Sequence, residues 1–279
     1  MNKIEVKLLP LFDGANPEGM MMFLANLTQK GHNIHNMDDL YEMFENFYGK
    51  TDYKTSAKVA RLPHGTITRF VPLTFAIVGA SRRFLAQIRT HQVGATYVSA
   101  SLQYSDYSGS ADFTIPYEML NADYEFYIKH GKYKVVSNIY LNQCTHAMSL
   151  YSELAKQIGN DAAGYTAPQG LRNILIIQLN AESLKHIIRL RACNRNTLET
   201  QFVVLKMWEE AIRHYPFGAE LFEHDAELDI CPAGPDCMTG KCHEGKFSCG
   251  KPIMAATPTE YLKERFPLLY NEEFINNYK

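Results

Sequence analysis

Two short apolar runs, each leading directly into a helical pattern, constrain this chain more than anything else in it. PLTFAIVG at 72–79 is β-rich and bounded by Pro and Gly, and ILIIQL at 174–179 has the same character. Runs of that length and composition suit strands buried in a sheet. The ten residues after the first run are expected to be helical. After the second, Asn180 is placed to cap a helix carrying Leu184, Ile187, Ile188 and Arg191, and a longer helix carrying Leu198, Phe202, Leu205, Trp208 and Ile212 follows. Upstream, Asn16-Pro17 starts a helix with Met20, Phe23, Leu24 and Leu27 on one face and Gly31 as its stop, and a second short helix fits 38–48. Apolar residues between Ser137 and Ile158 recur at helical spacing until Gly159.

With 46% hydrophobic and 21% charged residues, the chain has material for one large domain or two small ones and no compositional sign of disorder. A formal net charge of -2 provides no global field to gather nucleic acid or an anionic membrane, so neither is expected as a partner. The N-terminal apolar run is broken by Lys7, Pro10 and Asp13, unlike a secretory signal, and no later run is long enough for a membrane span. A cytoplasmic location follows as the expectation. Composition changes after Phe222, where Gly, Pro and Cys take over and regular structure is not expected, dividing the chain into 1–222 and an extension, 223–279. Cys144 and Cys193 fall in helical patterns as core thiols. Cys231, Cys237, Cys242 and Cys249 crowd near the C-terminus as thiols or metal ligands before disulfides.

The commonest mechanistic motifs, from G-x-G-x-x-G to G-x-S-x-G, are missing. Scattered polar residues remain. One set lies in QIRTHQVGATYVSASLQY, residues 87–104. Another comprises Arg172, Asn180, His186, Arg189, Arg191, Arg195 and Glu199, which straddle a strand end and two helix starts. Arginines near helix N-termini suit a phosphate pocket, although arginines on helix faces are also commonly solvated.

Together these stretches resemble the flavin-dependent thymidylate synthases over roughly residues 5 to 222. The family signature, R-H-R followed by S-x-R-Y, falls on Thr90-His91-Gln92 and Ser101-Leu102-Gln103-Tyr104, so His91, Ser101 and Tyr104 match while the arginines are replaced. LTFAI at 73–77, Ser81-Arg82 and Gln87 match the preceding strand and helix. PHGTITRF supplies His64 and Thr66 of an upstream flavin segment, with Arg69 and Phe70 in place of its Glu-His. Asn180-Ala181-Glu182-Ser183-Leu184, Leu190-Arg191 and Asn196-Thr197-Leu198-Glu199 stand where the family has N-A-R-S-L, L-R and A-Q-W-E. A further family arginine corresponds to Gly164, for which Arg172 is a candidate substitute. The cysteine-rich text resembles an extension found in some members. Its four cysteines and His243 fit a structural zinc site or, equally simply, a reduced tail.

The resemblance implies an α/β fold, a helix-covered sheet that assembles as a homotetramer with shared active sites. It implies reductive C5-methylation of a uracil nucleotide, dUMP first, with methylenetetrahydrofolate as the folate one-carbon donor, FAD as the flavin and NADPH as reductant. His64, Thr66, His91, Gln92, Asn180 and His186 would contact flavin. Gln87, Ser101, Gln103, Tyr104, Arg172 and Arg191 would hold the pyrimidine nucleotide, with Arg191 and Ser101 as the catalytic pair. Losing two phosphate-facing arginines, at about 1.5 to 3 kcal/mol each, weakens a nucleotide site by about a hundredfold or more unless it is rebuilt. Three readings follow: Arg172, Arg189 or Arg195 rebuilds the site; the substrate is another pyrimidine nucleotide such as UMP; or the chain is a non-catalytic nucleotide-binding protein.

Overall fold

The computed structural model describes residues 4–9, 16–49, 58–59, 65–109, 111–214, 244–250 and 257–278. Both apolar runs are strands of one antiparallel sheet. Strands β2 (Pro72–Ser81) and β4 (Arg172–Asn180) pair along their full length, with Pro72 opposite Asn180 and Ser81 opposite Arg172. The short strands β1 (Glu5–Leu8) and β3 (Ala95–Ser99) add to the outer edges of β2 and β4, giving the order β1-β2-β4-β3.

Burial alternates along these strands. Leu73, Phe75 and Ile77 of β2 and Leu175, Ile177 and Leu179 of β4 face the core. On the opposite face Val78, Ile174 and Val98 are 40%, 51% and 65% exposed. Thr74 on that face is covered and Gln178 is polar, but Val78, Ile174 and Val98 leave an exposed apolar patch on the outer side of the sheet.

Helices α1 (Pro17–Lys30) and α2 (Met37–Tyr48) form a hairpin, and the Asn16 side chain caps α1 by accepting from the Gly19 amide at 2.9 Å. Helix α3 (Arg82–Ile88) is shorter than its expected ten residues; Ser81 caps it through an Oγ that accepts from the Phe84 amide. Helices α4 (Tyr117–His130), α5 (Val135–Ile158) and α6 (Asn160–Ala163) precede β4, and α7 (Ala181–Arg191) and α8 (Leu198–His214) follow it. Val203, Val204, Met207, Trp208 and Ala211 of α8 are fully buried and form the centre of the core. No helix among the described residues is long and apolar enough to cross a membrane.

Regular structure returns near the C-terminus, which corrects the expectation of an irregular extension for residues 257–278. Thr257 and Glu260 form a reciprocal capping box at the start of α9 (Pro258–Arg265), and α10 (Glu272–Tyr278) follows. Tyr261, Leu262, Phe266, Leu268, Phe274 and Tyr278 are buried in the same core cluster as the sheet. The Tyr278 hydroxyl donates to Asp123 Oδ2 at 2.7 Å and lies 2.6 Å from the Ser137 hydroxyl. Asp123, fully buried, also accepts from the Val136 amide at the head of α5. This last stretch is a strap over the main body. The remainder of the extension lies outside the described residues.

Candidate functional site

Three segments meet at the Asn180 end of β4. Asn180 ends the strand and begins α7, and its Oδ1 accepts from the Ser183 amide at 2.8 Å. The turn at Val93–Gly94 rests on this helix start: Ser183 Oγ donates to the Val93 carbonyl at 3.0 Å, and the Asn180 amide donates to the Gly94 carbonyl at 3.3 Å. Gly94 has φ +68, and a Cβ there would lie 2.5 Å from Ser183 Oγ, so conformation and space both require glycine. From the other side comes the Gly65–Thr66 turn, so close that a Cβ on Gly65 would meet the Glu182 carboxyl group at 2.6 Å. Thr68 Oγ1 lies 3.0 Å from both the Gly65 carbonyl oxygen and Glu182 Oε2, which share its one proton, and Lys185 Nζ is 3.7 Å from the same carboxylate oxygen. Glu182, standing where the resembling family has arginine, thus pins this turn to α7.

Arg191, the last residue of α7, reaches three acceptors. Its Nε donates to His91 Nε2 at 2.8 Å, one terminal nitrogen to Thr90 Oγ1 at 3.0 Å and the other to Asn196 Oδ1 at 3.2 Å. Thr90, in place of a signature arginine, removes a like charge and presents an acceptor, which lets Arg191 lie over the His91 loop. The exposed His186 ring stands edge-to-face to His91, with centroids 5.8 Å apart. Burial, together with Arg191 and His186, pushes the His91 imidazole down to about 4. A neutral ring is what the geometry needs, because protonated Nε2 could not accept from the guanidinium.

This depression has a sign. A histidine whose folded pKa lies below its unfolded value of about 6.5 contributes stability that is complete above that value and is lost as pH falls toward about 4. Denaturant unfolding at pH 7 and pH 4.5 should therefore show a larger acid loss in wild type than in His91→Gln. Equal losses would overturn the neutral-acceptor assignment.

Gln87 Oε1 accepts from Thr197 Oγ1 at 3.1 Å and from Thr200 Oγ1, holding α3 to α8. Glu199 accepts from the Ser81 amide and hydroxyl, both at 2.6 Å. Burial pushes its carboxyl up, against the pull of those two hydrogen bonds and Arg83.

The other expected site residues sit elsewhere. Ser101, Gln103 and Tyr104 follow β3, whose Ser99 is opposite Leu175, so they lie toward the Arg172 end of β4. Ser101 Oγ accepts from the Gln103 amide at 3.1 Å, and Tyr104 is 84% exposed. Arg172 Nε is 3.5 Å from Asp112 Oδ2. Asn180 and Arg172 bound a nine-residue strand, about 26 Å end to end at 3.3 Å per step. Along the sheet, Asn180 therefore stands at one end and Arg172, Ser101, Gln103 and Tyr104 toward the other, while Gln87 follows Ser81, the partner of Arg172, by six residues and Arg191 lies eleven residues along α7 from Asn180.

Of the arginines considered as replacements, Arg172 faces Asp112, Arg195 donates to the Phe247 carbonyl at 2.8 Å and pairs with Glu244, and Arg189 is exposed in the last turn of α7. His64, Cys231, Cys237 and Cys242 lie outside the described residues; Cys249 is half-buried. Cys144 is buried beside Tyr140, and burial pushes its thiol up, as expected of a core thiol. A cavity of about 460 Å³ opens between α4, α5, α8 and the strap, but several of its polar walls are already committed: Glu199 to Ser81, Ser137 to Tyr278 and Lys206 to Glu209.

Sequence reasoning missed Thr90, Asn196 and Glu182 as contributors. Each stands at a position where the family pattern has a different residue, so the departures themselves were the available signal. What the fold and site define is an α/β enzyme scaffold in which a loop with a neutral histidine lies along a capped helix that begins at one end of the sheet and closes with an arginine. The family model described as thymidylate synthase complementing protein matches residues 11–217, and the chain belongs to that family.

Its curated relatives include the flavin-dependent thymidylate synthase of Thermococcus onnurineus, 28% identical over 202 residues that cover 69% of this chain and 78% of the relative. That of Clostridium tetani is 26% identical over 266 residues, covering 89% and 94%. Among solved structures, Thymidylate Synthase X (ThyX) from Helicobacter pylori with FAD and dUMP has the same fold, with a TM-score of 0.54 at 20% identity, covering 79% of this chain and 98% of that one.

Proposed function

We propose that this protein is a flavin-dependent thymidylate synthase, converting dUMP to dTMP with methylenetetrahydrofolate as one-carbon donor, FAD as flavin and NADPH as reductant. The observation that carries the reading is the meeting of the Thr66 turn, the His91 loop and the Asn180 helix in a chain of this family. The donor set suits FAD. The Thr66 and Gln92 side chains are exposed and make no hydrogen bond among the described residues, and the exposed His186 ring stands edge-to-face to His91, the residue before Gln92. The bound flavin supplies the hydride and the folate the carbon.

The chain's own residues bind and orient. Asn180, His91, His186, Thr66, Gln92 and His64 would hold the flavin. Gln87, Arg191, Ser101, Gln103, Tyr104 and Arg172 take the nucleotide, with Arg191 and Ser101 against the reacting pyrimidine. Asn180 and Arg172 bound β4 about 26 Å apart, and the complete site is taken to draw on more than one protomer. The exposed Val78, Ile174 and Val98 on the outer sheet face support assembly as a homotetramer. The family unit is residues 1–222, the tail 223–279 is an extension of it, and the enzyme is cytoplasmic.

The test is direct. Purified protein should carry or take up oxidised flavin, and with folate and NADPH should release tritium from C5-labelled dUMP. Release from labelled UMP alone would replace the substrate. Protein that binds no flavin would sink the proposal.

A further inference from the structure

The strap touches the site. Tyr261 of α9 lies beyond the residues that the family model matches, yet its hydroxyl donates to the Ala192 carbonyl at 2.8 Å and lies 2.9 Å from Asn194 Oδ1. Ala192, which follows Arg191 directly, is the C-cap of α7 and is fully buried. A helix-end carbonyl has no partner within its own helix, and buried without one it is costly. Tyr261 supplies that partner.

The rest of the corner is held in the same way. Arg265 Nε donates to Gln201 Oε1 at 3.2 Å, and Gln201 Nε2 donates to the Asn196 carbonyl at 2.8 Å. Asn196 donates through Nδ2 to the Leu190 carbonyl at 2.7 Å and accepts from Arg191 through Oδ1. Contacts thus run unbroken from the strap, through residues 192–196, to the Arg191 guanidinium.

We propose that the C-terminal strap sets the posture of Arg191, with Tyr261 as a positioning residue for nucleotide binding. The proposal rests on Arg191 holding the nucleotide, as argued above. A guanidinium that must meet His91, Thr90, Asn196 and a ligand at once tolerates little displacement, because hydrogen bonds weaken steeply with distance and angle. Tyr261→Phe keeps the packed ring and removes the hydroxyl that meets Ala192 and Asn194.

The experiment measures dUMP dissociation constants of the full-length, flavin-loaded chain for wild type, Tyr261→Phe, Arg191→Ala and the double variant, with flavin content and thermal melting recorded alongside. Tyr261→Phe should weaken dUMP about three- to tenfold while retaining flavin and a cooperative melt. In the Arg191→Ala background the same change should have almost no effect. If Arg191→Ala weakens dUMP and Tyr261→Phe does not, or if Tyr261→Phe has the same effect in both backgrounds, the positioning role is overturned. If Arg191→Ala itself leaves dUMP binding unchanged, the nucleotide role of Arg191 fails and the positioning role fails with it. Should Tyr261→Phe not fold, Arg265→Ala loosens the same corner from its surface side. It should weaken dUMP about two- to threefold with the same dependence on Arg191, and additive behaviour would count against the proposal.

Discussion

A chain ending at Ala256 should fail to fold. The removed stretch contributes Tyr261, Leu262, Phe266, Leu268, Phe274 and Tyr278, all buried in the main core. Full burial of a large apolar side chain stabilises by about 1.5–3 kcal/mol, so the six together come to roughly 10 kcal/mol or more. Whole domains are stable by only about 5–15 kcal/mol. Losing Tyr278 also takes a hydrogen-bond donor from the fully buried Asp123, which caps α5. The Thr259 hydroxyl on Glu209 and the Tyr261 hydroxyl on Ala192 are lost as well. The truncated chain should be found in the insoluble fraction or, if solubilised, should lack near-ultraviolet dichroism and a cooperative melt. A soluble product melting within a few degrees of the full chain would show that the strap is decoration on a core complete without it.

The strap was also the least legible part of the fold in sequence. Elements with both a sequence-local cap and a long periodic face were readable: Asn16-Pro17 opens α1 and Asn180 opens α7 as expected, and Gly159 closes α5. Helices α9 and α10 have eight and seven residues, too short for a periodicity to emerge, and they follow text dominated by Gly, Pro and Cys. One local signal was present, Thr257 three residues before Glu260, the spacing of the capping box. The sheet was legible as strands but not as a surface. An apolar run does not tell whether one face or both will be covered, and here Ile174 and Val98 remain outside.

For the site, the resemblance pointed to residues on the Asn180 helix and the His91 loop without revealing how they are wired. Arg191 meets Thr90 and His91 across about a hundred residues of chain, a pairing set by how β3 and β4 place the loop before β3 over α7. No spacing rule encodes that. The separation of Ser101 and Arg172 from Asn180 was hidden for the same reason, since it follows from β4 itself, in which Arg172 and Asn180 occupy opposite ends.

Arg191→Ala should raise the dUMP dissociation constant at least about tenfold. One charge-assisted hydrogen bond is worth about 1.5–3 kcal/mol, and tenfold corresponds to about 1.4 kcal/mol. The effect should exceed that of Arg191→Lys, because an ammonium is a point donor and cannot span His91, Thr90 and Asn196 as the planar guanidinium does. A second readout belongs to the same substitution. Arg191 is one of the charges that hold His91 near 4, after burial itself, so removing it should move the His91 titration upward toward the ordinary imidazole range. Histidine ring resonances followed against pH would report this without any ligand present. An upward His91 shift with unchanged dUMP affinity would leave Arg191 as a structural partner of the loop and remove it from the nucleotide site. A loss of dUMP affinity with a stationary His91 would instead mean that the guanidinium acts on the ligand directly, with its contact to the imidazole contributing little to the field His91 experiences.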